Sequence, residues 1–126
     1  MKTIQISRSV LETLYGDSTE SITEVFHEFL KSDPDIKTSL FSSCNSDRIE
    51  LLELFLHHNG PSFMYLGMPF ISTYFRELEI KCKESGDRSL ISYEFPILLQ
   101  MIERSRLMII KELEMLTSNY KMAQAC

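Results

Sequence analysis

Ile22, Val25, Phe26 and Phe29 fall at i, i+3, i+4 and i+7, and similar spacing recurs along nearly the whole chain. A period of 3.6 residues gathers such side chains on one stripe of a helix, whereas a strand needs alternation with a period of two. Only four glycines and four prolines interrupt 126 residues, so few positions can break the helical pattern. The chain is therefore constrained to an all-α fold before any other feature is considered.

The punctuation divides the pattern into elements. Ser9 and Glu12 form a capping-box pair that starts a short helix, ended by Gly16. Asp17 is placed to cap the helix carrying Ile22 to Phe29. Asp33-Pro34 acts either as a fresh N-cap with proline at the first helical position or as a kink, and Ile36, Leu40 and Phe41 continue the apolar face. "FSSCNSD" reads as a turn in which Ser46 caps a helix bearing Leu52, Phe55 and Leu56. The next helix presents Ile71, Phe75, Leu78 and Cys82, ending with lysines in its last turn and Gly86 beyond it. A long final helix carries Leu98, Met101, Ile102, Ser105, Ile109, Leu113 and Leu116, with Pro96 in its first turns. An antiparallel four-helix bundle with a short additional N-terminal helix satisfies this order. A single domain over residues 1–126 is expected, with its core at about 9–116 and a frayed tail at 117–126.

Composition excludes several classes of function. A net charge of −5 with scattered acids lacks the basic stripe of a nucleic-acid surface. No segment reaches the length of a membrane span, and "MKTIQISRSV" has no signal-peptide apolar region, so a cytoplasmic protein is expected. Cys44, Cys82 and Cys126 are odd in number and widely spaced, as reduced thiols are. No CxxC, HExxH or zinc-spaced Cys/His pair occurs, so no metal site is expected. A metal- or haem-binding bundle using His27, His57 or His58 would lack the Glu-x-x-His pairs of carboxylate-bridged bundles. The methionines Met64, Met101, Met108 and Met115 read as packing residues.

The stretch "HHNGPSFMYLG", residues 57–67, is the exception to a purely structural pattern. With Leu52 at zero on a helical wheel, His57 falls at about 140°, facing water, and His58 at about 240°, on a flank beside Leu51. Asn59 falls with Phe55 and Leu56 on the buried side. Adjacent helix positions diverge, so the two imidazoles cannot share one metal without distortion. Leu54, Pro61 and Met64 share the outer face with His57, and Glu53 and Glu50 lie one and two turns back. That apolar cluster reads either as a docking surface or as packing against the N-terminal segment. Pro61 has no N–H for the carbonyl of His57, so the helix is expected to bend, loosen or briefly stop there.

These residues resemble the histidine-containing phosphotransfer (HPt) domains of phosphorelays. The family motif runs His-x-x-Lys-Gly-Ser, then a glycine ten residues after the histidine, then Leu-Glu in the next helix with a glycine soon after. Here His57, Ser62 and Gly67 fit those positions, as do Leu78 and Glu79 in "FRELEIKCKESG". "LETLYGDSTESITEVFHEFL" is similar to the family's opening, and the resemblance spans about residues 9–115. Gly60 stands where the family has lysine, Pro61 where it has glycine, and Asn59 where it has a buried leucine.

The resemblance implies a phosphorelay protein that accepts a phosphoryl group from a receiver-domain aspartate on His57 and passes it to another receiver. His58 and Ser62 are alternate or supporting residues, and Leu54, Gly60, Pro61 and Met64 form the receiver-docking surface. A neutral imidazole is a competent nucleophile near physiological pH. Such a chain is a phosphoryl carrier rather than a self-sufficient catalyst. It has no cofactor of its own, because the receiver brings the Mg²⁺ and the cationic side chain. The implied partners are response-regulator receiver domains or a hybrid sensor histidine kinase, met by a monomer, without nucleic acid or membrane. Met1 favours a stand-alone protein over a piece of a larger kinase. The missing lysine favours the alternative, a transfer-deficient HPt-like adaptor that binds receivers or kinases.

Overall fold

The N-terminal helix shows how local hydrogen bonding sets the element boundaries. In a computed structural model, which describes residues 5–125 and their side chains through Ser118, α1 spans Arg8–Tyr15. Its N-cap is Ser7, whose hydroxyl accepts from the Val10 amide at 3.3 Å, and Ser9 lies inside the helix. The capping box expected at Ser9 is thus displaced by two residues, because Ser7 already satisfies a free amide of the first turn. Gly16 ends α1 with φ 61°, its N–H reaching the Glu12 carbonyl at 2.8 Å.

α2 spans Thr19–Asn45 and is capped by Ser18, not Asp17, through a 3.2 Å bond from the Ser21 amide. It runs unbroken through Pro34, so Asp33 is not a fresh cap. Pro34 leaves the Leu30 carbonyl without its usual donor. α3 spans Ile49–Tyr65 with no side-chain cap at its start; Ser46 instead accepts from the Arg48 amide in the preceding turn. α4 spans Pro69–Ser85, with proline in its first turn and left-handed Gly86 closing it onto the Cys82 carbonyl. α5 spans Ser89–Ala125. The Asp87 carboxylate accepts from the Ser89 amide at 3.0 Å, and this bond holds its carboxyl below the usual range. The frayed end expected after Leu116 falls mostly on residues whose side chains lie outside those described.

The described residues form five helices and no strand, so the fold is all-α. α3 packs mainly on α4, α2 packs on both α5 and α3, and α1 touches α2 and α3. Contacts of Gly60 with Phe75 and of His57 with Glu79 show that α3 and α4 run antiparallel. The periodic apolar residues meet as expected: Phe26, Leu52, Ile71, Phe75, Leu98 and Ile102 are fully buried, and Phe63 joins them. Phenylalanines link three helices, with Phe63 meeting Phe29 edge-on at 5.7 Å and Phe75 at 5.1 Å, while Phe55 lies 6.1 Å from Phe75. Burying each such ring contributes roughly 2–3 kcal/mol.

Polar groups inside this core are tied to partners, except Asp33 Oδ1, which has none among the described residues. Asp33 is buried, with one carboxylate oxygen 2.9 Å from Lys37 and 3.9 Å from Arg106 of α5. Lys37 also pairs with Glu103, so the charge of Asp33 is held between α2 and α5. Tyr74 donates to buried Glu94 at 2.6 Å, joining α4 to α5, and burial with this bond pushes the phenol well up. Tyr15 donates to the Tyr65 carbonyl at 2.7 Å and the Ser7 amide to the Gly67 carbonyl at 2.6 Å, fixing α1 to the end of α3.

Burial pushes the thiols of Cys44 and Cys82 up to about 11. Both thiolates are therefore scarce at pH 8, and a reagent such as a disulfide dye should react slowly with them in a Cys126→Ser background. Denaturant should release both. Ionisation costs more in the folded than in the unfolded chain, so stability should fall as pH rises from about 9 towards 11. Fast native labelling of either cysteine at pH 8 contradicts this.

Gly67 supplies a second test. Its φ is 74°, and an added Cβ would stand 2.8 Å from Leu11 Cγ and 3.2 Å from the Ser7 carbonyl oxygen. Gly67→Ala should cost about 2 kcal/mol in urea unfolding, from backbone strain and overpacking together.

Candidate functional site

His57 stands on the second half of α3 because Leu52, Phe55, Leu56 and Phe63 turn that helix's other face into the core. Its side chain is 69% exposed, as the wheel predicts. Nδ1 lies 3.3 Å from Oε2 of Glu79 on α4, whose carboxylate is largely covered. The same oxygen accepts from Lys83 Nζ at 3.0 Å. A carboxylate facing Nδ1 favours the tautomer with the proton there, which leaves the Nε2 lone pair free on the other side of the ring. The site is thus an exposed imidazole braced from the neighbouring helix.

His58 is also exposed, and the two rings stand 6.0 Å apart at 69°. Among the described residues, no group of three or more His, Cys, Asp or Glu side chains is placed to hold a metal. His27 is an exposed residue of α2. No helix of the described residues is long and apolar enough to cross a membrane.

Leu54 (52% exposed), Pro61 and Met64 lie on the outside of α3, and Ile80 adds a further exposed apolar side chain from α4. Gly60 departs from the docking surface read from the sequence. It is buried, and a Cβ there would lie 3.3 Å from the Cβ of Phe75. Glycine at 60 is therefore the point of close approach between α3 and α4. Ser62 also departs: five residues after His57, it is turned by about 140° on the helix. It lines a groove between α2 and α3 with Val25, Phe29, Ile36, Tyr65 and Leu66. The structure does not bring Ser62 to the imidazole.

Pro61 does not end the helix. α3 continues to Tyr65, its packing against α4 and the burial of Phe63 and Leu66 holding the turn that proline weakens. Asn59 is half-buried and donates to the Phe55 carbonyl at 2.9 Å, so the position expected in the core carries a polar group satisfied by its own helix. Glu79 enters the sequence reading only as a motif position and Lys83 only as a last-turn lysine. Their i, i+4 spacing suggests a surface ion pair, but nothing local shows that it meets His57.

Comparison with protein-family models, with curated proteins and with solved structures finds no match to this chain.

The closed seam at Gly60 predicts that a long side chain is costly there. Gly60→Lys should destabilise the protein by roughly 1–3 kcal/mol in urea unfolding, because its Cβ presses on Phe75 and its stem enters a filled seam. An unchanged midpoint would show that α3 and α4 can separate at little cost.

Proposed function

We propose that this chain is an HPt-like phosphorelay protein, in which α2 to α5 form an antiparallel four-helix bundle and α1 is the additional N-terminal helix. His57 takes the phosphoryl group of a receiver-domain aspartate and yields it to a second receiver. The observation that carries this reading is the braced, outward imidazole: 69% exposed, on a helix held at its back by core phenylalanines, with Nδ1 against Glu79. The reading further implies a monomer working in the cytoplasm, with receiver domains or a hybrid sensor kinase as partners.

The chemistry asks little of the bundle beyond position. The Nε2 lone pair attacks phosphorus as the bond to the aspartyl oxygen breaks, and the aspartate leaves as a carboxylate with that electron pair. Nδ1 keeps its proton, so the product is a phosphorylated imidazolium whose Nδ1–H faces Glu79. Transfer to the next receiver reverses these bonds. Phosphoryl transfer depends mainly on alignment and on offsetting charge. The Mg²⁺ and cation that do so are the receiver's, and Leu54, Pro61 and Met64 offer apolar area beside the histidine for it to cover.

A second reading is an HPt-like adaptor that binds receivers without transfer. The observation favouring it is position 60, which carries no cation and is closed against Phe75. Incubation with a panel of phosphorylated receivers separates the two. The relay reading expects acid-labile, alkali-stable label on the wild type and none on His57→Gln. Receiver binding without label would establish the adaptor, and label surviving His57→Gln would move the acceptor, first to His58.

A further inference from the structure

The brace on His57 contains a difficulty that the structure also answers. Glu79 orients the ring, yet its carboxylate stands beside an atom meant to receive a doubly charged phosphoryl group. Its side chain is only 13% exposed, so it cannot swing away into water as the group arrives. The residue three positions after the histidine, on the same helix, cannot help, because it is Gly60 and is sealed by Phe75. Among the described residues, the cation that contacts the pair is Lys83, 3.0 Å from the carboxylate oxygen that faces Nδ1.

We infer that Lys83 is a positioning residue for His57 that acts through Glu79. It offsets the carboxylate's charge and fixes the oxygen that faces Nδ1, supplying from α4 a positive charge that α3 does not carry at position 60. This inference rests on the proposal that His57 accepts a phosphoryl group. The i, i+4 order of glutamate before lysine suits it, since that order is the favourable one on a helix. Lys83 is itself 58% exposed and lies in the last turn of α4, where the helix dipole also favours a cation. It touches neither the ring nor the reacting phosphorus, so its effect must vanish when Glu79 is removed.

The test uses the full chain and phosphoramidate, a small phosphoryl donor that needs no receiver. Nε2 attacks its phosphorus, the donor's P–N bond breaks, and ammonia leaves with the electron pair while Nδ1 keeps its proton. The rate of labelling at His57 is read for wild type, Lys83→Met, Lys83→Arg, Glu79→Ala and the Glu79→Ala/Lys83→Met pair. Lys83→Met should slow labelling about threefold, the effect of one partly exposed charge, and Lys83→Arg should restore it. In the Glu79→Ala background Lys83→Met should change nothing. In the ¹⁵N shifts of the ring, Glu79→Ala should lower the Nδ1–H population, and Lys83→Met should change that population only while Glu79 is present, a pattern that general loss of stability would not produce.

Labelling of Lys83→Met at the wild-type rate overturns the inference. So does an equal loss with Glu79 absent, or a wild-type His57 that phosphoramidate does not label. Receivers are assayed separately. If phosphoramidate labels His57 with the expected Lys83 dependence but no receiver transfers to it, the relay reading fails and the inference stands. If receivers label wild type and Lys83→Met alike, the relay reading stands and the inference fails.

Discussion

The close approach of α3 and α4 at Gly60 and Phe75 is the contact on which the candidate site depends. With no side chain at position 60, the two helices meet backbone against ring, and a Cβ would already be 3.3 Å from that of Phe75. Helix separation is set by the side chains at the crossing, and a glycine there draws the axes together. Phe63 and Phe55 fill the space on either side of Phe75, so the antiparallel register is fixed by volume as well as by the short connection. One turn back along α3, that register brings Glu79 opposite His57. The ring is exposed, but its orientation is set from the core.

The same contact explains why a glycine-proline pair does not break the helix. Proline removes one hydrogen bond and disfavours helical geometry in the residue before it. Against this stand the buried side chains of Phe63 and Leu66, which reach the core only if α3 continues past Pro61. Pro34 in α2 is tolerated in a comparable setting, with Phe29 and Leu40 buried on either side of it. Tertiary burial on both flanks outweighs a local propensity loss of about 3 kcal/mol. These prolines mark weakened turns in continuous helices, not boundaries.

This division shows what could be read from the chain and what could not. Helix existence and buried faces follow from spacing, so Leu52, Phe55, Phe75, Leu78 and Ile102 fall where periodicity puts them. The exposure of His57 follows from the same spacing. Cap identities do not: Ser7 and Ser9, or Asp17 and Ser18, are all competent, and small differences in chain path choose between them. The place of Ser62 was legible from its angle on α3 but was obscured by motif order, which counts residues and not directions. Gly60, Glu79 and Lys83 were illegible for a different reason. Their meaning lies in the register between two helices, and no periodicity within either helix encodes it.

An exposed histidine is common, and exposure alone offers no chemistry. What distinguishes His57 is that Nδ1 faces a covered carboxylate while the side chain as a whole is exposed. A free imidazole exchanges its proton between the two positions and presents either one to a partner. Fixing the proton at Nδ1 presents one nucleophilic atom in one direction, which a docking partner can approach without reorganising the ring. The carboxylate that does this brings negative charge, and a basic residue on α4 offsets it while lying too far along the helix to block access. The surroundings of the ring are therefore set from α4, although the histidine itself belongs to α3.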